Sequence, residues 1–209
     1  MIETALGIFT KTYQQRDIEL TKEHYTAIKE SLSLFDDICK GGKTERYVLA
    51  LPTGTGKTTA IVSWCAANDQ INKGYSVCIA SAQVSELFKI RKDLIAHGVS
   101  VDKIGVLYSD KQDGMEKYKD IAPSTNTPEK DQILLVTHKR YEYGISKTDY
   151  LHCKGKKRNI IFWDEAFRKT QNTSNDISEL VRLLYGDLRI LDKNDFQSLD
   201  DFNLIKRFL

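Results

Sequence analysis

Short apolar runs recur along the chain, each bounded by polar or glycine-bearing stretches. Tyr47–Leu51, Tyr75–Ala80, Gln132–His138 and Asn159–Trp163 read as buried strands, and Val101–Leu107 holds a further short one. Between them the spacing turns helical. Thr21 can cap a helix whose stripe is Ala27, Ile28, Leu32, Phe35 and Ile38, with Leu20 and Tyr25 placed as a hydrophobic staple and Gly41-Gly42 as the stop. Thr59–Ala67 reads as a second helix, and Val84, Leu87, Phe88, Leu94 and Ile95 share one face of a third. A short helix is expected near Gly114–Lys119, followed by an exposed loop. Beyond the last strong strand, Asp176 and Glu179 resemble a capping box ahead of Ile177, Leu180, Val181 and Leu184. Leu188–Leu191 reads as a strand and 200–209 as another helix. Strands alternating with helices predict an α/β domain, a mostly parallel sheet with helices on both faces. Residues 1–19 have the least regular pattern and read as an N-terminal arm, with 20–209 as the domain.

Composition narrows the class. The 209 residues make one domain of ordinary size, or one and a fraction. A hydrophobic share of 41% and a charged share of 29% are those of a globular protein. The formal net charge of +2 excludes a strongly basic molecule, so any nucleic-acid site is a local patch. The cysteines at 39, 65, 78 and 153 show no C-x-x-C spacing; Cys65 and Cys78 fall in apolar elements and read as core. A reducing, cytoplasmic setting is expected. No apolar run approaches the roughly 18 residues of a membrane span, so no membrane partner is expected.

The strongest chemical signal is Leu51-Pro52-Thr53-Gly54-Thr55-Gly56-Lys57-Thr58, set between an expected strand and a helix. Strand, glycine-bearing turn and helix form the context of a phosphate-binding loop. Glycines let backbone N–H groups approach phosphate oxygens, and the helix N-terminus adds its positive end. Thr53, Gly54, Thr55, Gly56, Lys57, Thr58 and Thr59 would cradle the nucleotide. Lys57 would face the β- and γ-phosphates, and the Thr58 hydroxyl would ligate Mg²⁺. The second anchor is Asn159–Phe167, an apolar strand ending in Asp164-Glu165. Two adjacent acids at a buried strand end are costly unless a cation neutralises them. Asp164 would hold the Mg²⁺ shell and Glu165 would polarise an attacking water.

Other segments carry two readings each. Tyr13–Arg16 is a set that can clamp an adenine ring, or part of a surface arm. Thr137-His138-Lys139-Arg140 suits a phosphodiester backbone, or is a helix N-cap followed by surface charges. Lys154–Arg158, the densest basic run, is a nucleic-acid patch or a solvated turn at the amino end of the sheet; the turn is favoured, because ligands of open α/β sheets bind at the carboxyl ends.

Pro-Thr-Gly-x-Gly-Lys-Thr, with Leu51 ahead of it, resembles motif I of superfamily 2 helicases and translocases. Asp164-Glu165-Ala166-Phe167 resembles their DEAD/DEAH box as motif II, with Phe167 in place of the polar fourth residue. Ser81-Ala82-Gln83 resembles motif Ia, and Thr137-His138 resembles the Thr-Thr-His segment of many such proteins. The interval from Lys57 to Asp164 holds more strand–helix units than AAA+ or P-loop kinase folds usually place there. The resemblance covers about residues 20–170 and implies a RecA-like P-loop ATPase lobe. It implies ATP and Mg²⁺ as cofactors, Lys57 and Glu165 as catalytic residues, and Thr58 and Asp164 as metal ligands. Ser81, Gln83, Thr137, His138 and Lys139 would contact nucleic acid, DNA ahead of RNA. His24 stands where these proteins often carry an adenine-reading glutamine. A Ser-Ala-Thr motif III and motifs IV to VI are missing, so the sequence reads as part of a longer protein whose second lobe comes in cis or from a partner chain. The expected activity is ATP hydrolysis coupled to movement on nucleic acid. A terminase- or AAA+-type motor and a non-catalytic nucleotide-binding module are the alternatives.

Overall fold

The apolar runs fold as four parallel strands. The computed structural model describes residues 1–41, 47–49, 51–52, 54–109, 116–144 and 150–164. Strands β1 (Val77–Ser81), β2 (Ile104–Leu107), β3 (Ile133–Thr137) and β6 (Ile160–Trp163) make one sheet in the order β2-β3-β1-β6. β1 and β3 are buried along almost their whole length, which is why they read as continuous apolar runs rather than alternating ones. Two tiny antiparallel strands, β4 (His152–Cys153) and β5 (Lys156–Lys157), form a separate hairpin turning at Lys154 and Gly155, both at positive φ.

The register aligns the carboxyl ends of the strands. Ser81 pairs with Thr137, and Ala80 pairs with Trp163, so Asp164 follows in the same row. Three of the residues singled out in the sequence thus share one edge of the fold.

One face of the sheet, carrying Val77, Ile79, Val106, Ile133, Leu135, Ile160 and Phe162, joins a single core with four helices. These are α1 (Ile2–Gln14), α2 (Lys22–Gly41), α3 (Lys57–Gln70) and α4 (Val84–Ala96). Trp64 of α3 lies fully buried at its centre, stacked on Tyr75 and edge-on to Phe35 and Phe162. The opposite face, with Cys78, Ala80, Leu134 and Val136, meets Tyr150, and Tyr141 of α6 (His138–Gly144) packs against it. A one-turn helix, α5 (Glu116–Lys119), precedes the polar loop into β3. The chain is therefore α/β, with an all-parallel four-stranded sheet flanked by helices. Among the described residues no helix is long and apolar enough to cross a membrane.

Three segments depart from the pattern reading. Residues 2–14 of the expected N-terminal arm form a helix that the pattern reading did not announce, burying Ala5, Leu6, Phe9 and Tyr13 against the core. Tyr47–Leu49 and Leu51 form no strand. The Leu51 N–H donates to Leu49 O at 2.9 Å, a tight three-residue turn that an extended ladder cannot contain, and Val48 is 90% exposed. Arg158 is not a solvated charge but is 4% exposed. Its guanidinium donates to five carbonyls, those of Tyr150, Val77, Asp131, Gln132 and Pro128, at 2.6–3.2 Å. The rest of that basic run, Lys154 to Lys157, is exposed as expected. The four cysteines are free and buried. The elements expected over 176–209, together with Glu165, Phe167, Ala50 and Thr53, lie outside the described residues.

Candidate nucleotide site

From Gly54 to Lys57 the backbone turns through two points where a side chain is tolerated only at a cost. Gly54 has φ +85° and Gly56 φ +80°, both in the left-handed region. The Thr55 hydroxyl donates to Pro52 O at 2.8 Å and closes the turn. Gly56 is the N-cap of α3, and its carbonyl accepts the Ala60 N–H at 2.8 Å. The amide N–H groups of the first turn, through Lys57, Thr58 and Thr59, have no acceptor within the helix and add to the positive end of its dipole. That geometry suits an anion with several oxygens.

Two further observations complete the site. The Lys57 ammonium folds back on the turn, donating to Leu51 O at 2.7 Å and Pro52 O at 3.1 Å. The Thr58 hydroxyl donates to Asp164 Oδ2 at 2.6 Å. Asp164 is carried there by the sheet, since its N–H donates to Ala80 O at the end of β1. A hydroxyl oxygen with lone pairs to spare beside a carboxylate is a hard oxygen donor set. It fits Mg²⁺, which takes one or two protein ligands and completes its shell with phosphate oxygens and water. Among the described residues no group of three or more His, Cys, Asp or Glu could hold a metal without such help.

The loop is also braced from α1 and α2. His24 Nε2 lies 2.8 Å from Thr55 O; a carbonyl only accepts, so Nε2 carries the proton. Thr21 caps α2, accepting the His24 N–H, and so fixes where this imidazole starts. Tyr13 is buried, stacked on Phe9 at 4.5 Å and edge-on to His24 at 5.4 Å. Its hydroxyl sits where a Cβ on Gly56 would have to go. Burial raises the Tyr13 phenol above its ordinary pKa, against an opposing pull from Arg16. Tyr13 therefore packs against the loop at Gly56. The bracing role of His24 needed the tertiary contact. A signal for Tyr13 was present in the spacing of Leu6, Phe9 and Tyr13, which is a helical stripe.

The residues read as nucleic-acid contacts are placed unequally. Ser81 is 1% exposed. Gln83 is exposed, at the N-cap of α4, and accepts the Ser85 hydroxyl. Thr137 Oγ1 accepts the Arg140 N–H at 3.3 Å and caps α6. His138 stacks on Trp163. Lys139 and Arg140 are exposed. No protein-family model matches this chain, and no curated protein sequence matches it either.

Proposed function

We propose that this chain binds Mg-ATP as the RecA-like P-loop lobe of a nucleic-acid-dependent ATPase, a helicase or translocase of the superfamily 2 kind. The observation that carries the reading is the 2.6 Å hydrogen bond between Thr58 and Asp164. It joins the residue after the loop lysine to the acid that follows the parallel strand β6, the pair a phosphate-bound Mg²⁺ requires. Bound Mg²⁺ would neutralise charge on the β- and γ-phosphates. In this reading the amides from Gly54 to Thr59 hold the phosphates and Lys57 exchanges its two carbonyl acceptors for phosphate oxygens. Glu165, the next residue in the chain, polarises the attacking water. Exposed Gln83 and Lys139 meet a sugar-phosphate backbone at the carboxyl ends of the strands, as sequence-independent contacts do. A second lobe, in cis or from a partner chain, supplies the arginines that complete hydrolysis.

The test is titration calorimetry with ATP and Mg²⁺. Lys57→Ala is expected to weaken binding at least about tenfold, since a charge-assisted hydrogen bond contributes roughly 1.5–3 kcal/mol. Glu165→Gln is expected to bind as tightly as the parent and to lose whatever hydrolysis the parent shows. Unchanged affinity in the lysine variant would remove the nucleotide site from Lys57 and with it this function.

A further inference from the structure

The end of β1 and the residue after β6 meet on one carbonyl. Ala80 O accepts the Asp164 backbone N–H at 2.8 Å and also faces His138 Nε2 at 3.2 Å. Since the carbonyl cannot donate, that nitrogen is the protonated one. The same imidazole lies flat on the Trp163 indole, with centroids 4.1 Å apart and ring planes within 10°. Tyr141 closes on that indole edge-on at 5.6 Å. His138 therefore holds the residue before Asp164 by its ring face and the acceptor of the Asp164 amide by its N–H. The placement has a mechanical reason. Among the described residues β6 is an edge strand, paired only with β1, and its last pair is Ala80 with Trp163. Asp164 stands one residue past that last pair. Without a support from β3's exit, its backbone would be fixed by a single ladder hydrogen bond.

We propose that His138 is a positioning residue for Asp164, setting the backbone from which the carboxylate reaches Thr58 and a bound Mg²⁺. This rests on the reading of Asp164 as a ligand of the metal–nucleotide complex. It gives His138 a different role from phosphodiester contact. Partners one shell out from a metal ligand typically change metal affinity by about 10- to 100-fold when removed. His138 acts through backbone, so the lower end of that range is expected.

Two substitutions separate the N–H from the ring. His138→Phe keeps a flat ring for Trp163 and removes the donor, whereas His138→Gln keeps an N–H of similar reach and removes the ring. The 209-residue chain is used, and two quantities are read. One is the exchange rate of the Asp164 amide without nucleotide, by NMR. The other is the gain in ATP affinity on adding Mg²⁺, by calorimetry. His138→Phe is expected to speed exchange at Asp164 about tenfold and to cut the Mg²⁺-dependent gain about tenfold, leaving Mg²⁺-free ATP affinity unchanged. His138→Gln is expected to restore much of both. Should His138→Phe fail to fold, His138→Leu against His138→Gln makes the same comparison, donor absent against donor present. Wild-type exchange and a wild-type Mg²⁺ gain in the donorless variant would overturn the proposal. So would equal damage in His138→Gln, which would reduce His138 to packing. If exchange responds as expected but the parent shows no Mg²⁺-dependent ATP affinity, the positioning of the Asp164 backbone stands and the metal–nucleotide reading falls.

Discussion

Thr58 and Asp164, 106 residues apart in the chain, are joined by a 2.6 Å hydrogen bond from hydroxyl to carboxylate. This bond to a carboxylate contributes roughly 1.5–3 kcal/mol, as hydrogen bonds to charged groups do. Its larger consequence is that it holds two hard oxygen donors side by side. Thr58→Val removes one of them at nearly constant volume. The expected result is a loss of about tenfold or more in Mg-ATP affinity, with little change when EDTA replaces Mg²⁺. Calorimetry under both conditions checks it; equal losses with and without the metal would mean that Thr58 acts on the fold of the loop instead.

Gly54 and Gly56 offer an internal comparison. Both have positive φ, and a side chain there costs roughly 1–2 kcal/mol for the left-handed backbone alone. A Cβ at Gly54 meets nothing, whereas one at Gly56 runs into the Tyr13 hydroxyl. Gly56→Ala is therefore expected to destabilise the chain more than Gly54→Ala in urea unfolding. In a Tyr13→Phe background the excess should shrink, giving a coupling energy of at least about 0.5 kcal/mol for residues in contact. Equal costs for the two alanines would show that α1 does not brace the loop.

The strands and the site were legible for different reasons. β1 and β3 announce themselves because buried parallel strands are apolar on both faces. Thr21 reads as a cap and is one, because capping is a local exchange of one hydroxyl for one amide. The loop and Asp164 were singled out because phosphate chemistry restricts residue type and spacing, and the Thr58–Asp164 hydrogen bond brings the two segments together. Tyr47–Leu51 has the composition of a strand, yet the hydrogen bond from Leu51 N–H to Leu49 O bends it, and composition does not report a turn of that size. His24 gives no local sign that its imidazole will meet Thr55, 31 residues on.

Arg158 was the least legible of all. It sits at the end of a charge run, and its acceptors lie from 8 to 81 residues away in sequence. Burial pulls its pKa down, and the neighbouring groups Cys78, Cys153 and Asp131 oppose that fall. Taking the guanidinium away removes five donated hydrogen bonds, although Gln132 O keeps the Val77 N–H and Asp131 O keeps the Cys153 thiol. Arg158→Met is expected to cost about 3 kcal/mol or more, from several lost bonds of roughly 1 kcal/mol each. Arg158→Lys should recover only part, because an ammonium cannot span the same fork. Denaturant unfolding with near-wild-type values for Arg158→Met would show that water satisfies those carbonyls equally well.

On the proposed function, nucleic acid meets the carboxyl ends of the strands rather than the amino ends. Lys139 and Arg140 are exposed on α6, just beyond Thr137, in the part of the fold where Asp164 ends its strand. Lys156 and Lys157 are equally exposed but belong to the β5 hairpin strand. Arg158 next to them bonds Val77 O and Gln132 O, which places that hairpin at the amino ends of β1 and β3. The two cation pairs therefore differ in position while matching in charge and exposure. Phosphate contacts release counterions, so affinity should fall steeply with salt and depend little on base sequence. Charge reversal at Lys139 and Arg140 is expected to weaken binding to a labelled single strand and to flatten its salt dependence, because each lost contact lowers the slope by about one. The same reversal at Lys156 and Lys157 should change binding much less, since it only alters the long-range field, which is screened beyond about 8–10 Å at 0.1–0.15 M salt. Fluorescence anisotropy across a salt series on both variants decides it. A larger loss, with the flatter slope, in the Lys156 and Lys157 variant would move the nucleic-acid face to the amino end of the sheet and separate it from the nucleotide site.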